Sequence, residues 1–425
     1  MNRKDFIKTT SAAAASLGLL SAANSCKDQP AEGSKTGSLI ANTPKGAPLA
    51  ISMWDFSWLE RRWTGAGFED WDMVLDQFVE RGYNAIRMDA FPHLVARDPE
   101  KEWTLEVLWT QSDWGSPARN KITVQPAMNE FLSKCKDRGI MVGLSSWYRE
   151  DSDNVRMQVS SPEIHAEQWI KTLDMIREAG LLDIILYVDL CNEWPGDLWA
   201  PYFTNDPPEL TWGGWYTEQS LQWMRTAIGL VQEKYPDLPV SFSFEIKEQY
   251  YRELDVSFAD FLDDHIWMAQ QNGNEFADLV EYKYDRFKPD SYNALAKNGE
   301  KLYREKPDYW QNLLINRIKK SAEESSKIGL PLITTECWGV VDYKDWPLLN
   351  WDWVKELCAL GTETAAATGQ WVAIATSNFC EPQFKGMWDD IEWHRRLTDI
   401  IKNSAINISL NESKLGSKFL NRLSR

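Results

Sequence analysis

The hydrophobic pattern of the chain switches repeatedly between a helical period and short apolar runs. In residues 68–81 the apolar positions recur three and four residues apart, Gly82 ends this predicted helix, and the apolar run YNAIRM follows. The same unit repeats along the chain. Eight runs are predicted as strands, at residues 48–54, 83–88, 140–145, 183–190, 239–246, 264–268, 330–336 and 370–376.

Strands that alternate with helices predict a parallel sheet with right-handed crossovers. Eight such units favour a single α/β domain, a (β/α)8 TIM barrel over residues 47–403 followed by a C-terminal tail at 404–425. A doubly wound open sheet is the alternative, but the sequence contains no glycine-rich phosphate loop of the GxGxxG or GxxxxGK[ST] type. Long loops are predicted after strand 2 (91–124), strand 4 (194–216) and strand 6 (269–311), at the face where barrel enzymes carry their sites.

The N-terminal segment has the pattern of an export signal. Positive charges precede a small apolar stretch in residues 1–25, and Cys26 follows, which resembles a bacterial lipobox with Cys26 as the lipid-bearing residue. The start also resembles a twin-arginine signal, and a plain cleaved signal with an incidental Cys26 is the alternative. The polar residues 26–46 then predict a flexible tether to the barrel. We therefore expect an exported protein that contacts a membrane only through this anchor.

Composition narrows the function classes. The formal net charge of −17 argues against a nucleic-acid partner, whose phosphates require a basic surface. The four histidines occur in no HxH or HExxH pattern, so neither a metal nor a cofactor is predicted. The 23 tryptophans are unusual, because flat rings stack on sugar faces as well as filling cores.

Two glutamates stand where predicted strands leave the barrel. Glu193 follows strand 4 and Glu336 ends strand 7. A charge at a strand exit is costly unless it is solvated, paired or used. Because both exits lie at one mouth, the two carboxylates can face each other across a glycosidic bond, one protonating the leaving oxygen and the other attacking the anomeric carbon.

The order of four motifs resembles the clan A glycoside hydrolases, and most closely the cellulase-like proteins of glycoside hydrolase family 5. The motifs are GYNAIRMD at residues 82–89, Asn192-Glu193 after strand 4, His265-Ile-Trp267 on strand 6, and Glu336 at the end of strand 7. Together they extend over nearly all of the chain that follows the tether.

This resemblance implies a role for each matching residue. Glu193 is expected to be the general acid/base and Glu336 the nucleophile. Arg87 is expected to keep Glu336 ionised, since a nearby cation lowers the pKa of a carboxylate. Asn192 is expected to bond the sugar 2-hydroxyl, and His265 a hydroxyl or a carboxylate. Structural pairing of Arg87 with Asp89 or Asp189, and a core position for His265, are the alternatives.

Several further positions are candidate sugar contacts. Trp267 stands where the family often has a tyrosine, so the hydroxyl that would bond the nucleophile is missing. Trp54, Trp147 and Trp338 lie at or just after strand exits, where they stack on sugar or pack the barrel rim. Glu245 ends strand 5 and is expected to point into the mouth, as a sugar contact or a pairing charge.

Two functions remain open at this point. The first is a retaining β-glycosidase that hydrolyses a β-linked poly- or oligosaccharide by double displacement. The second is a non-catalytic lipoprotein that binds a carbohydrate with the same barrel. The enzyme is favoured because both glutamates and Arg87 are present, whereas a binding protein could lose a carboxylate.

Overall fold

The computed structural model describes residues 46–108, 113–204, 214–244, 254–282, 289–341, 344–346 and 348–424. Two residues with predicted roles, Cys26 and Glu245, lie outside these ranges. None of the helices in the described ranges is long and apolar enough to cross a membrane.

The strands of the described ranges are β1 (Leu49–Met53), β2 (Ala85–Asp89), β3 (Glu102–Leu105), β4 (Asn120–Thr123), β5 (Met141–Ser145), β6 (Ile185–Asp189), β7 (Val240–Ser241), β8 (Leu262–Asp263), β9 (Ile266–Trp267), β10 (Leu332–Thr334), β11 (Cys337–Trp338) and β12 (Trp371–Ala375). Eight of them form a parallel central sheet, in the order β7-β6-β5-β2-β1-β12-β10-β8. The strands β3 and β4 form an antiparallel hairpin in the loop after β2, and β9 pairs in parallel with β11. The predicted (β/α)8 barrel is therefore confirmed.

The barrel is nearly closed between its end strands β7 and β8. The Asp260 N–H donates to the carbonyl of Val240 at 3.1 Å, and the Ser241 hydroxyl donates to the carbonyl of Phe261 at 2.9 Å. The predicted strand over 239–246 is too long. Its regular part ends at Ser241, and the Ser243 N–H donates to a side chain, the Asp189 carboxylate, at 2.7 Å.

The strands predicted at 264–268 and 330–336 are each interrupted. Of the first, only β9 is a strand, and β8 ends at Asp263, just before the predicted range; the second keeps only β10 and is followed by β11. The Asp264 N–H donates to the Ile333 carbonyl at 3.1 Å and the Ile266 N–H to the Glu336 carbonyl at 3.2 Å, so the spacing changes between these two bonds. His265 and Glu336 consequently stand where the regular ladder is broken.

Helices surround the barrel, and their ends follow local chemistry. The helix predicted at 68–81 runs from Trp71 to Glu80, and the Asp70 carboxylate caps it by accepting from the Met73 N–H at 3.0 Å. The helices are Ser57–Glu60, Trp71–Glu80, Pro92–Arg97, Ala127–Asp137, Pro162–Glu178, Pro201–Thr204, Glu218–Lys234, Gln271–Val280, Pro289–Glu305, Pro307–Ile328, Asp352–Thr368, Lys385–Trp388, Ile391–Lys402, Ile408–Glu412 and Ser417–Leu423, with 3-10 turns at Val155–Gln158, Leu182–Ile184, Gly214–Tyr216 and Met268–Gln270.

The segment predicted as a C-terminal tail is helical and packs on the barrel. Phe419 is fully buried, with its ring 5.8 Å from Tyr187 of β6 and 5.4 Å from Phe261. Tyr187 itself needs the small residue at position 143, because a Cβ added to Gly143 would stand 2.3 Å from the tyrosine ring. The apolar packing thus continues from the barrel interior to this last helix.

Candidate active site

Glu193 is held at the exit of β6 by contacts from three directions. Its backbone N–H donates to the Ser243 hydroxyl at 2.8 Å, and its φ of 47° lies in the left-handed region. The carboxylate Oε1 lies 3.1 Å from His265 Nδ1, and the Trp199 indole N–H donates to Oε2 at 3.1 Å. The side chain remains 20 % exposed, so it is both oriented and accessible.

Glu336 follows β10 and faces the same space. Arg87 Nη1 donates to its Oε1 at 3.2 Å, while its Oε2 lies 3.7 Å from His265 Nδ1. Oxygens of Glu193 and Glu336 and a ring nitrogen of His265 lie within 4.8 Å of one another. The structure therefore brings the two predicted glutamates together on either side of His265.

Arg87 of β2 is the fully buried centre of the polar network. Its Nη2 donates to the Asp189 carboxylate and to Asn192 Oδ1, both at 2.6 Å, and its Nη1 donates to the Thr335 hydroxyl at 2.9 Å. The guanidinium carbon lies 4.7 Å from the centre of the Trp147 ring. These contacts join the exits of several strands through one cation.

Both hypotheses for Arg87, a structural ion pair and a contact with Glu336, hold in part. It is paired with Asp189, as the structural alternative expected, and it also reaches Glu336. Asp89, the other candidate partner, instead accepts the backbone N–H groups of Phe91 at 2.7 Å and Trp147 at 3.1 Å. Asn192 is oriented by Arg87, a contact that the sequence did not predict.

Burial governs the charge of Glu336 more strongly than expected. It raises the pKa of this carboxyl to about 7, and Glu193 and Asp263 act in the same direction. His265 and Arg87 lower the pKa, as predicted for Arg87, but they do not outweigh burial. Burial also opposes the charged form of His265, yet Glu336, Asp263 and Glu193 raise its pKa well above the usual value.

Two of the four candidate indoles lie beside the glutamate cluster. Trp147 lies against the Arg87 guanidinium, and the Trp267 ring is 5.9 Å from the His265 ring. Both side chains are 3 % exposed. The Trp267 indole N–H has no hydrogen-bond partner within the described ranges, so a donor is left near His265.

The other two candidate indoles belong to the core. The Trp54 ring lies 5.0 Å from that of Phe78, and its N–H donates to the Cys380 carbonyl at 3.2 Å. The Trp338 N–H donates to the Ala375 carbonyl at 2.9 Å. Neither indole is exposed, so both fit the packing alternative rather than stacking on sugar. An indole that follows a strand can turn outward into the helical layer, which spacing alone does not reveal.

Three polar residues of the network were not predicted as part of it: Ser243, Thr335 and Asp263. Ser243 shares the alternation of its strand with Glu245, and this signal could have placed it at the mouth. Asp263 was missed because the predicted strand began at position 264, two residues after the start of β8 at Leu262. Sequence gave no comparable signal for Thr335.

The cluster of Glu193, His265 and Glu336 has the donor types of a metal site, with ligating atoms within 4.8 Å of one another. Arg87, however, already donates to Glu336, and the carboxylates around His265 favour the protonated ring, which cannot ligate a metal. The arrangement therefore suits carboxylate chemistry on a bound substrate better than metal binding.

Comparison with known proteins agrees with this geometry. The family described as sugar-binding cellulase-like matches residues 51–402. A crystal structure from Parabacteroides distasonis ATCC 8503, described as a candidate glycoside hydrolase, is 58 % identical, with a TM-score of 0.87 over 89 % of this chain and 100 % of that one. No curated protein sequence matches the chain.

A more distant structure shares the fold alone. The endo-β-1,4-mannanase from Thermotoga petrophila is 11 % identical, with a TM-score of 0.50 over 85 % of this chain and 78 % of that one. The family match covers most of the sequence, and the 58 % identical structure extends over the same barrel. The chain therefore belongs to the cellulase-like family and is a glycoside hydrolase with a (β/α)8 barrel.

Proposed function

We propose that the protein is a retaining β-glycosidase that cleaves a β-linked poly- or oligosaccharide by double displacement. The observation that carries this proposal is the separation of the two glutamates, whose nearest oxygens lie within 4.8 Å. Retaining enzymes keep their carboxyl groups about 5 Å apart, whereas inverting enzymes leave room for a water between them.

In the first step Glu336 attacks the anomeric carbon while Glu193 protonates the departing oxygen. This assignment is supported by the surroundings of each carboxylate. Glu336 accepts from the buried cation of Arg87, which stabilises the charged form that a nucleophile needs. Glu193 has the more exposed side chain, 20 % against 12 %, and so meets the leaving group and water more readily.

In the second step Glu193 removes a proton from water, and the water oxygen attacks the anomeric carbon, which breaks the bond to Glu336 and frees its carboxylate. A residue that serves first as acid and then as base must keep its position through both steps. The Trp199 N–H at one oxygen and His265 at the other supply that orientation for Glu193. Asn192, fixed by Arg87, is suitably placed to bond a hydroxyl of the sugar ring.

A hydrolysis screen with the soluble chain lacking residues 1–26 tests the proposal. We expect cleavage of at least one β-linked glycan, with a product whose anomeric configuration is retained when followed by NMR at early times. The Glu324→Gln variant should keep the wild-type activity, because Glu324 is a buried glutamate, paired with Lys327, that the proposed mechanism does not use. Inversion would contradict the mechanism, and tight glycan binding without cleavage would favour the non-catalytic lipoprotein.

We also propose that the chain is exported and anchored through a lipid on Cys26. The proposal is supported by the signal-like residues 1–25 and the polar tether that follows. Cys26→Ala should move the protein from the membrane fraction to the soluble fraction with unchanged hydrolytic activity, because the tether precedes the barrel. Mass spectrometry that finds an unmodified N-terminus at another residue would contradict the anchor.

A further inference from the structure

Asp263 is a buried carboxylate that the proposed mechanism does not use. Its side chain, at the end of β8, is not exposed, and neither oxygen accepts a hydrogen bond within the described ranges. Its nearest cationic groups are His265 Nε2 at 3.7 Å and Arg87 Nη1 at 3.9 Å. A buried charge without hydrogen bonds is costly, so it calls for a compensating cation.

Arg87 supplies only part of that compensation. Its guanidinium lies much closer to Asp189, at 2.6 Å, and it also donates to Glu336 at 3.2 Å. The other nearby group that can carry positive charge is His265, which directs Nε2 toward Asp263. The opposite nitrogen, Nδ1, faces the two glutamates.

We propose that Asp263 is a positioning residue that orients His265 and balances its charge, so that a protonated imidazole bridges Glu193 and Glu336. The distances that place the bridge are 3.1 Å from Nδ1 to Glu193 and 3.7 Å to Glu336. This inference rests on the proposed function only for its effect on the rate, since the charge of His265 is a property of the free protein.

The carboxylates around His265 all favour this state of the ring. Asp263 approaches from its own strand, Glu193 from the exit of β6, and Glu336 from the exit of β10. The neighbouring Asp264 also interacts electrostatically with the ring. The cation of Arg87 opposes this state, and Asp263 and Glu336 each lie near both Arg87 and the imidazole.

A bridging imidazolium would serve both halves of the reaction. Before attack it favours the ionised form of Glu336 against the effect of burial, because an adjacent positive charge lowers the pKa of a carboxylate. After the glycosyl-enzyme forms, Glu336 is a neutral ester, and the same N–H holds Glu193 in place for its role as a base. Trp267 has no hydroxyl to perform this task, so the Asp263–His265 pair takes it over.

The adjacent residue Asp264 offers a matched control. Because side chains alternate along the chain here, Asp264 points to the other side of the strand, where Arg317 donates to its two oxygens at 3.0 and 2.9 Å. Asp264 is also a buried aspartate, but its carboxylate is paired with Arg317 rather than with the glutamate cluster. Asp264→Asn changes the same chemical group at the next position.

The charge of His265 can be measured without substrate. Burial lowers the pKa of the other three histidines, to about 3 for His93, about 4 for His165 and about 3 for His394. In the 15N-histidine-labelled chain lacking residues 1–26, two-bond 1H–15N spectra at pH 7 should therefore contain a single imidazolium pattern. His265→Gln should remove it, Asp263→Asn should convert it to a neutral ring, and Asp264→Asn should retain it.

Activity provides a second readout on a glycan that the wild type cleaves. Asp263→Asn should lower kcat by about 10- to 100-fold, the range for carboxylates that orient a functional histidine, with little change in KM. The acid limb of its pH profile should move to higher pH, because Glu336 loses the positive charge beside it. Asp263→Glu should restore part of the rate, and Asp264→Asn should leave the profile in place.

The wild-type spectrum decides the proposal even if Asp263→Asn does not fold. A wild type with four neutral histidines at pH 7 would overturn it, as would an Asp263→Asn variant that keeps both its imidazolium and its pH profile. A single imidazolium in a protein that cleaves no glycan would leave the pair intact and count against the proposed function alone.

Discussion

The two halves of the barrel differ in how their strands are built. The strands β12, β1, β2, β5 and β6 each have five residues, whereas β7, β8 and β10 have two or three. The long-strand half carries Arg87 on β2 and Glu193 at the exit of β6. The short-strand half carries His265 and Glu336, at the points where the ladder is interrupted.

The regular and the interrupted strands have different roles in the site. In the long-strand half the backbone groups pair with one another, so Arg87 projects from a regular element and joins Asp189 to the exits of neighbouring strands. In the short-strand half, breaks in the ladder free the side chains of His265 and Glu336 to converge on Glu193. A regular half thus provides the anchor, and an irregular half provides the reacting groups.

The largest effect should come from the short-strand half. Glu336→Ala should lower the rate by ~10⁵-fold or more on every substrate, as for loss of a nucleophile in other covalent catalysts, because Glu336 is the carboxylate that faces Glu193 in the part of the chain that the structure describes. Mass spectrometry with a slow-turnover fluoroglycoside should detect a glycosyl-enzyme in the wild type and none in the variant. A variant that keeps most of the wild-type rate would show that the two glutamates are wrongly assigned, and Glu245 would then be tested.

Glu193→Ala tests the long-strand half and should give a more selective defect. The rate on natural glycans should fall by ~10³-fold, within the range for loss of a general acid, because their leaving groups need a proton. An activated aryl glycoside should still form the glycosyl-enzyme, which then accumulates.

Added azide should rescue the Glu193→Ala variant, since azide needs no base. The product should be a glycosyl azide of retained configuration, and its stereochemistry can be read by NMR. Azide rescue of Glu336→Ala with inverted configuration would fit the same assignment, whereas a retained product from Glu336→Ala would reverse the two roles.

The sequence predicts the two halves unequally well. In the long-strand half, unbroken apolar runs such as 83–88 and 183–190 located β2 and β6 closely. In the short-strand half, the runs at 239–246 and 330–336 overestimated β7 and β10, because polar side chains there take backbone hydrogen bonds. The Asp189 carboxylate that accepts the Ser243 N–H is an example. The pattern of apolar residues does not show that a side chain will accept a backbone hydrogen bond.

The residues of the candidate site were also predicted unequally well. Glu193, Glu336, Arg87 and His265 converge as the order of their motifs predicts, because parallel strands bring their exits to one mouth. The direction of Trp54 and Trp338 was not predictable, since either face of a barrel strand is apolar in sequence but only one faces the mouth. Asp263 was missed for a different reason, the two-residue error in the start of its strand.

Arg87→Met should show how much the buried cation of the long-strand half contributes to stability. The variant leaves Asp189 buried without its cation, and loss of one partner of a buried pair costs about 3–5 kcal/mol. Chemical denaturation should show this loss in the free energy of unfolding. Arg396→Met is the control, because Arg396 pairs with Glu363 on the surface, where ion pairs contribute little. Equal effects of the two substitutions would contradict the anchoring role of Arg87.

The smallest predicted effect is a pH dependence that belongs to Glu336. Its pKa of about 7 in the folded chain lies above the roughly 4.3 of an unfolded glutamate. Between these values the folded state holds the proton more tightly, so the contribution of this group to stability is greatest at low pH and falls as the pH rises toward 7. The free energy of unfolding of Glu336→Gln should therefore decline less over this range than that of the wild type.

The same titration should shape the acid limb of wild-type activity. Ionised Glu336 is the nucleophile, so kcat/KM should rise through about pH 7 as the carboxyl loses its proton. Activity and stability then respond in opposite directions, because the charge that attacks the sugar is the charge that burial disfavours. Parallel stability curves for wild type and Glu336→Gln, together with an acid limb near pH 4, would show that the irregular half leaves this glutamate solvated rather than desolvated.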